Sequence, residues 1–367
     1  MGEAWGGRAD GAREFARPGG GRVFAALDLG TNNCRLLIAI RRGEGFRVID
    51  SYSRIVRLGE GLTRTGRLGE AAMQRAMEAL GVCARKIRKQ GATRLRAVAT
   101  QACRAATNGA EFIEKVETNT GLRLTIISPR EEARLSVAGC LNLLDPASEA
   151  ALVLDVGGGS TELSWIDLKA LGPEPGRSRP ASWRAAVKAW LSVPIGVVSL
   201  AEHFPERLGG AAISFDAMVQ RFRSEIGGFA GAEPFRAVFA AGRAHLVGTS
   251  GAITSLAALH LGLARYDRAR VDGLWMTRGE CEAVGAQLLR LTPNERAASP
   301  CIGRDRADLV LAGAAILHAV QELWPCGRVR VADRGLREGL LLSLIADERR
   351  RTARRRTRVP AGGLWRE

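Results

Sequence analysis

"LVLDVGGGSTEL", residues 152–163, sets three glycines directly behind an apolar run that ends in Asp155. The layout recurs in "AALDLGTNNCRLLIAI", residues 25–40, where an apolar run, Asp28, one residue and Gly30 lead into small polar residues and a second apolar run. Strands flanking a tight glycine turn form a hairpin whose backbone N–H groups can point into one concavity, and glycine admits an anion that a side chain would block. Two such hairpins facing each other across a cleft grip a phosphate from both sides. A carboxylate beside each turn repels that phosphate unless a divalent cation sits between, because Mg²⁺ takes carboxylate and phosphate oxygens together. A third glycine-rich turn, "GTSGAIT", follows at residues 248–254. The dinucleotide fingerprint needs G-x-G-x-x-G leading from strand to helix, and it fails here because the residues after Gly159 read as another strand.

The chain has 367 residues, enough for two domains with real cores. No apolar stretch reaches membrane-spanning length, and residues 1–21 lack the apolar centre of a secretory signal. They read as a disordered Gly- and Arg-rich leader on a cytoplasmic protein. Seven dispersed cysteines fit reduced, mostly buried thiols better than a disulfide framework or a zinc site. Four dispersed histidines form no Ser/His/Asp arrangement, so acid–base work falls to carboxylates. The net charge of +16 makes polyanions natural partners. Part of it lies in "RRRTARRR", residues 349–356, a cationic run that permits nucleic-acid contact through the tail only.

Strand and helix patterns alternate, which predicts an α/β fold with mostly parallel sheets. Residues 46–61 read as a strand or two, 68–91 as a helix, 122–129 as a strand ending at Pro129, and the following segment as a helix carrying Glu131 and Glu132 in its first turn. A second unit opens at "ALVLDV". Residues 171–190, rich in Pro, Arg and Gly, read as a surface insertion. The two Asp-x-Gly hairpins mark an internal duplication. The expected organisation is a leader over 1–21, a first domain over 22–138, a second over 139–334, a closing helix near 335–347 packing back onto the first domain, and a disordered basic tail over 348–367.

"DLGTNN", "DVGGGSTEL" and "GTSGAIT" resemble the phosphate-binding hairpins and nucleotide-facing turn of the actin, heat-shock chaperone and sugar-kinase superfamily. More closely, "PREEARL", "DVGGGSTEL", "PIGVVSLAEHF", "RADLVLAGAAIL" and "GLREGLL" resemble the exopolyphosphatase and guanosine pentaphosphate phosphohydrolase family, from about residue 22 to 346. The resemblance implies two ribonuclease-H-like, actin-like domains with a cleft between them, and a homodimer. It implies Glu132 as the catalytic base that activates water, Asp155 and Glu162 as metal-associated carboxylates for Mg²⁺ or another divalent cation, and Gly157, Gly158, Gly159, Ser160 and Thr161 as one phosphate loop. Asp28, Gly30, Thr31 and Asn32 match the other loop, Arg104 and Arg306 fall where the family offers arginines to phosphate, and Gly248, Ser250 and Gly251 match the nucleotide-facing turn. Glu131 reads as a helix N-terminus facing solvent, favoured there by the helix dipole, and Arg337 with Glu338 as a structural ion pair.

The implied reaction is hydrolysis of a terminal phosphoanhydride, either on inorganic polyphosphate or on guanosine pentaphosphate. A guanine-sized pocket near "GTSGAIT" would favour the second. A regulator that binds polyphosphate or nucleotide without turnover is the alternative of another class, and the intact Glu132, Asp155 and Glu162 speak against it.

Overall fold

The computed structural model describes residues 22–171, 183–206 and 210–358. The leader falls outside these residues. Each Asp-x-Gly stretch folds as a hairpin that founds a sheet. In the first, β1 (Val23–Leu29) pairs antiparallel with β2 (Asn33–Arg42), which pairs with β3 (Gly45–Ile55). On the other side of β1, β4 (Arg94–Ala99) and β5 (Leu124–Ile126) run parallel to it, giving the order β3-β2-β1-β4-β5. Residues 46–61 hold this one strand, not two.

The second sheet repeats the plan. Here β6 (Ala150–Val156), β7 (Thr161–Asp167) and β8 (Val187–Val193) are antiparallel, while β9 (Ala244–Thr249) and β11 (Arg328–Ala332) continue in parallel, and β10 (Trp275–Thr277) adds an antiparallel edge. The register carries the duplication to single residues. Asp28 pairs with Arg35 as Asp155 pairs with Glu162, and the pairing slips at Ile38/Ala39 and again at Trp165/Ile166, the corresponding step of the second hairpin. A β-bulge is a specific feature of a strand pair, so its recurrence at the same step argues for descent from one unit.

Helices cover the sheets: α1 (Glu70–Lys89) and α2 (Gly109–Thr120) in the first unit, α3 (Pro129–Cys140) closing it, then α4 (Val197–His203), α5 (Ala211–Gly227), α6 (Gly251–His260), α7 (Arg278–Arg290) and α8 (Val310–Leu323), with α9 (Leu336–Arg358) last. The two closing helices are exchanged. Val137 and Cys140 of α3 join Val153 and Ile166 of the second sheet, whereas Leu340, Leu341 and Ile345 of α9 join Phe24, Ala26 and Val98 of the first. A boundary at 138/139 therefore cuts through α3. Glycines let these helices touch at backbone distance: a Cβ on Gly139 would lie 2.0 Å from the Gly335 carbonyl oxygen, and one on Gly339 2.0 Å from that of Leu135.

Two further expectations are corrected. The segment read as an insertion turns inward at Trp183, 5% exposed, and becomes β8 from residue 187; residues 172–182 lie outside the described set. The basic tail does not begin at 348, because α9 runs on to Arg358 and Arg349 pairs with Glu44 at 2.6 Å. Residues 359–367 lie outside the described set. Six cysteines are buried, Cys281 is half-buried, and all seven are free thiols. Among the described residues no helix is long and apolar enough to cross a membrane.

Candidate active site

The two hairpin turns close with the same hydrogen bond, Gly30 N to Asn33 O and Gly157 N to Ser160 O, each 2.9 Å. The second turn needs its glycines. A Cβ on Gly157 would stand 2.7 Å from the Ser160 carbonyl oxygen, and one on Gly159 2.8 Å from Thr31 Oγ1. The turns thus meet tip to tip, Thr31 against Gly158 and Gly159. The N–H groups of Gly158 and Gly159 donate to no atom among the described residues, and free turn amides of this kind are anion donors. Behind them, Val197 and Val198 at the start of α4 donate to the Gly157 and Gly158 carbonyls at 3.0 and 2.8 Å.

Between the hairpins lies a pocket open to solvent. Asp28, Thr31, Asn32 and Arg35 line it from the first unit, Asp155, Gly157–Ser160, Ser250, Gly251 and Arg306 from the second, Glu132 from α3 and Arg337 from α9. The sequence-predicted residues Asp28, Gly30, Thr31, Asn32, Glu132, Asp155, Gly157, Gly158, Gly159, Ser160, Ser250, Gly251 and Arg306 are brought together here. Ser250 holds φ at 124°, outside the range a side chain prefers, and caps α6 by accepting from Ala252 N.

Thr161, Glu162, Gly248 and Arg104 are not among the lining residues. Thr161 is fully buried and donates to the Ile195 carbonyl at 2.8 Å. Gly248 packs against Ile253. Arg104 donates to Glu132 Oε2 at 3.1 Å, to the Ile127 carbonyl at 2.7 Å and to Gln101, so its guanidinium fixes the glutamate instead of reaching into the pocket. Glu131 is not simply solvated, because Arg96 and Arg134 clamp it at 2.8 and 2.5 Å. Glu338 pairs with Arg268 at 3.2 Å and accepts from Gly335 N, leaving Arg337 to the pocket.

Burial dominates the titration of the carboxylates. It pushes Asp28 up to about 6, against the Arg35 and Arg337 cations and with help from the Asp155 charge. Asp155 is likewise raised by burial, held back by the Ser136 hydroxyl that donates to it. Burial lifts Glu132 to about 7, with Arg104 pulling down and Asp155 and Asp28 pushing up. Glu162, 2% exposed, is pushed far above the carboxylate range by burial and by the Glu132 and Asp155 charges, and accepts from Ser192 at 2.8 Å. Carboxylates this close cannot all ionise without a counter-charge.

Asp28 Oδ1 is buried with no hydrogen-bond partner, an orphan that a cation would satisfy. The described residues contain no group of three His, Cys, Asp or Glu at metal-ligand geometry. Asp28 and Asp155 together therefore fit an ion that draws the rest of its shell from phosphate oxygens and water, as Mg²⁺ does. Glu162, engaged by Ser192 and outside the pocket lining, fits that shell less well than Asp28.

Sequence reasoning gave Arg35 no role and read Arg337 as a structural partner of Glu338, yet both cations line the pocket. Arg35 stands in the first hairpin where Glu162 stands in the second, and its Nη2 is 3.2 Å from where a Cβ of Gly251 would lie. Arg337 is half-buried in the pocket wall, where desolvation lowers its pKa. The register signal for Arg35 was present in the two hairpin sequences once they are aligned on their aspartates.

Comparison with known proteins points the same way. Residues 37–348 match the Ppx/GppA phosphatase family. The chain is 30% identical to exopolyphosphatase 2 of Mycobacterium tuberculosis, over 87% of this chain and 98% of that protein. It is 29% identical to the guanosine-5'-triphosphate,3'-diphosphate pyrophosphatase of Aeromonas hydrophila over 91% of this chain, and spans 62% of that relative's length. The crystal structure of the Aquifex aeolicus family member superposes with a TM-score of 0.69 at 28% identity, covering 89% of this chain and 98% of that one.

Proposed function

The chain belongs to the Ppx/GppA phosphatase family, and from that premise we propose that it hydrolyses terminal phosphoanhydride bonds, releasing orthophosphate from inorganic polyphosphate. The observation that carries the reading is Glu132: a buried carboxylate at the pocket wall, oriented by Arg104, with its pKa pushed up to about 7. A base poised near neutrality takes a proton most effectively at neutral pH. Glu132 receives the proton of a water as its oxygen attacks the terminal phosphorus, and the bridging oxygen leaves with the shortened chain. The free amides of Gly158 and Gly159, with Arg35, Arg306 and Arg337, hold the phosphoryl oxygens and offset their charge, the main catalytic requirement in phosphoryl transfer. A divalent cation held by Asp28 and Asp155 would neutralise further charge on those oxygens.

Polyphosphate is favoured over guanosine pentaphosphate because no aromatic side chain lines the pocket among the described residues, and the turn at Ser250–Gly251 is flanked by Arg35 and Arg306. A phosphate chain uses cations, whereas a guanine base uses a stacking surface. The test is phosphate release from long polyphosphate and from guanosine pentaphosphate, side by side, with and without Mg²⁺, for wild type and Glu132→Gln. Release from polyphosphate that is lost in the variant is the expected result. Release only from the pentaphosphate would move the substrate to the nucleotide, and release from neither would leave a binding protein.

A further inference from the structure

The segment that follows β3 is tied to both units. Its backbone supports the first turn: Val56 N and Arg57 N both donate to the Asn32 carbonyl at 2.8 and 3.0 Å, and Gly59 N donates to that of Thr31 at 2.9 Å. Its side chains reach the other unit. Arg57 Nη1 and Nη2 donate to the two carboxylate oxygens of Asp308 at 2.9 and 3.1 Å, and Nη2 also to the Asp305 carbonyl at 3.2 Å. Asp308 lies two residues beyond the pocket residue Arg306, in the turn where Leu309 N and Val310 N both donate to the Arg306 carbonyl. A second strap runs beside the first. Gly61 N and Thr63 Oγ1 donate to Glu202 at 2.9 Å each, and Glu202 belongs to α4, whose first turn backs Gly157 and Gly158.

Arg57 holds φ at 47°, the left-handed region that disfavours any residue with a Cβ. Its ion pair is half-exposed, a setting in which such pairs add little to folding. As a stabilising device the residue is a poor choice, since glycine would suit the backbone better. As a link it joins the first phosphate turn, through one backbone N–H, to the segment that carries Arg306, through a two-pronged contact of fixed geometry. An observed strained residue with this placement argues for function rather than for packing.

We propose that Arg57 is a positioning residue that clasps the two walls of the pocket, setting the gap between the Thr31–Asn32 turn and Arg306 before substrate arrives. The proposal rests on the reading that the pocket takes a phosphate chain. With the clasp released, the fraction of molecules in the binding-competent geometry falls and apparent affinity falls with it, while bound substrate still draws the walls together.

The experiment compares wild type with Arg57→Gly, Asp308→Asn, their double variant and the reversed pair Arg57→Asp/Asp308→Arg. Arg57→Gly removes the strained side chain, so its melting temperature is expected to equal or exceed that of wild type. KM for polyphosphate is expected to rise roughly three- to tenfold in each single variant, the range of a bidentate ion pair, with kcat changed less than twofold. The double variant should be no worse than the poorer single one, and the reversed pair should recover at least half of the lost affinity. An active wild type with KM unchanged in both single variants would overturn the clasp, as would affinity and melting temperature falling together. If wild type releases no phosphate, the hydrolase reading fails and the clasp is judged by calorimetric binding of polyphosphate to the same variants, on the same fold-changes.

Discussion

Replacing Glu132 by glutamine should stabilise the metal-free protein more and more as pH rises. The unfolded glutamate titrates near 4.5 and the native one at about 7, because burial and the Asp155 and Asp28 charges oppose its ionisation more than Arg104 assists it. A folded pKa above the unfolded one means that the native state holds the proton more tightly. Its stabilising contribution is complete below about pH 4.5 and is lost as pH climbs through 7. That separation corresponds to roughly 3 kcal/mol, most of which disappears between pH 5 and pH 8. Glutamine has no such titration, and removing one negative charge also eases the ionisation of Asp155 and Asp28. The assay is urea unfolding of both proteins at pH 5, 6, 7 and 8 in a chelated buffer, read as the difference between their free energies. That difference should grow toward the variant by about 2 to 3 kcal/mol, and added Mg²⁺ should shrink it by compensating the buried carboxylates of wild type. Parallel stability curves across this range would refute the reasoning, since they would mean that Glu132 ionises in the fold as easily as in the unfolded chain.

The Arg104 cation lowers the pKa of Glu132, so Arg104→Gln should move the acid limb of the kcat/KM profile to higher pH, measured by phosphate release across pH 5 to 9. An unmoved limb with a lower plateau would give Arg104 a direct role in binding phosphate. Gly339→Ala would press a methyl group to 2.0 Å from the Leu135 backbone oxygen and force α9 from α3, with an expected loss of about 1–3 kcal/mol in urea unfolding. Gly327→Ala, in open space, serves as the control and should cost far less. His245 is fully buried, and burial drops its folded pKa to about 4. The unfolded chain therefore takes up its proton first, and stability falls as pH drops from 6.5 toward 4, by roughly 3 kcal/mol at the low end. His245→Gln should flatten that acid limb of the unfolding curve.

What the sequence makes legible follows from what local chemistry determines. Each hairpin declares itself because a tight turn between two apolar runs needs glycine, and the α/β class because strand and helix patterns alternate. The exchange of closing helices is less visible. Whether α3 packs on its own sheet or the other depends on Gly139 meeting Gly335 and on Gly339 meeting Leu135, contacts between segments roughly two hundred residues apart in the chain. β8 is masked by its surroundings: its seven residues, Val187–Val193, directly follow a Pro-, Arg- and Gly-rich stretch, and as an edge strand it leaves Trp190 at 38% exposure. Arg104 and Arg337 carry no local mark among so many arginines. Only the tertiary structure separates the one that holds Glu132 from the one that faces the pocket.

The duplication also explains why the site is chemically lopsided. Both hairpins keep the aspartate, the tight turn and the bulge, so the backbone on either side of the pocket is the same object twice. Opposite those aspartates the two copies part: Arg35 in one, Glu162 in the other. Arg35 pulls the Asp28 pKa down and leaves a cation on the pocket wall. Glu162, pushed far above the carboxylate range by burial and by the Glu132 and Asp155 charges, holds its proton near neutral pH and sets no further anion beside Glu132. A symmetric pair of glutamates would leave the first wall without its anion grip, and a symmetric pair of arginines would compete with Arg104 for Glu132 and hold it ionised and weakly basic. Divergence at this one register position thus puts a cation on one wall of the pocket and a buried neutral acid behind the other.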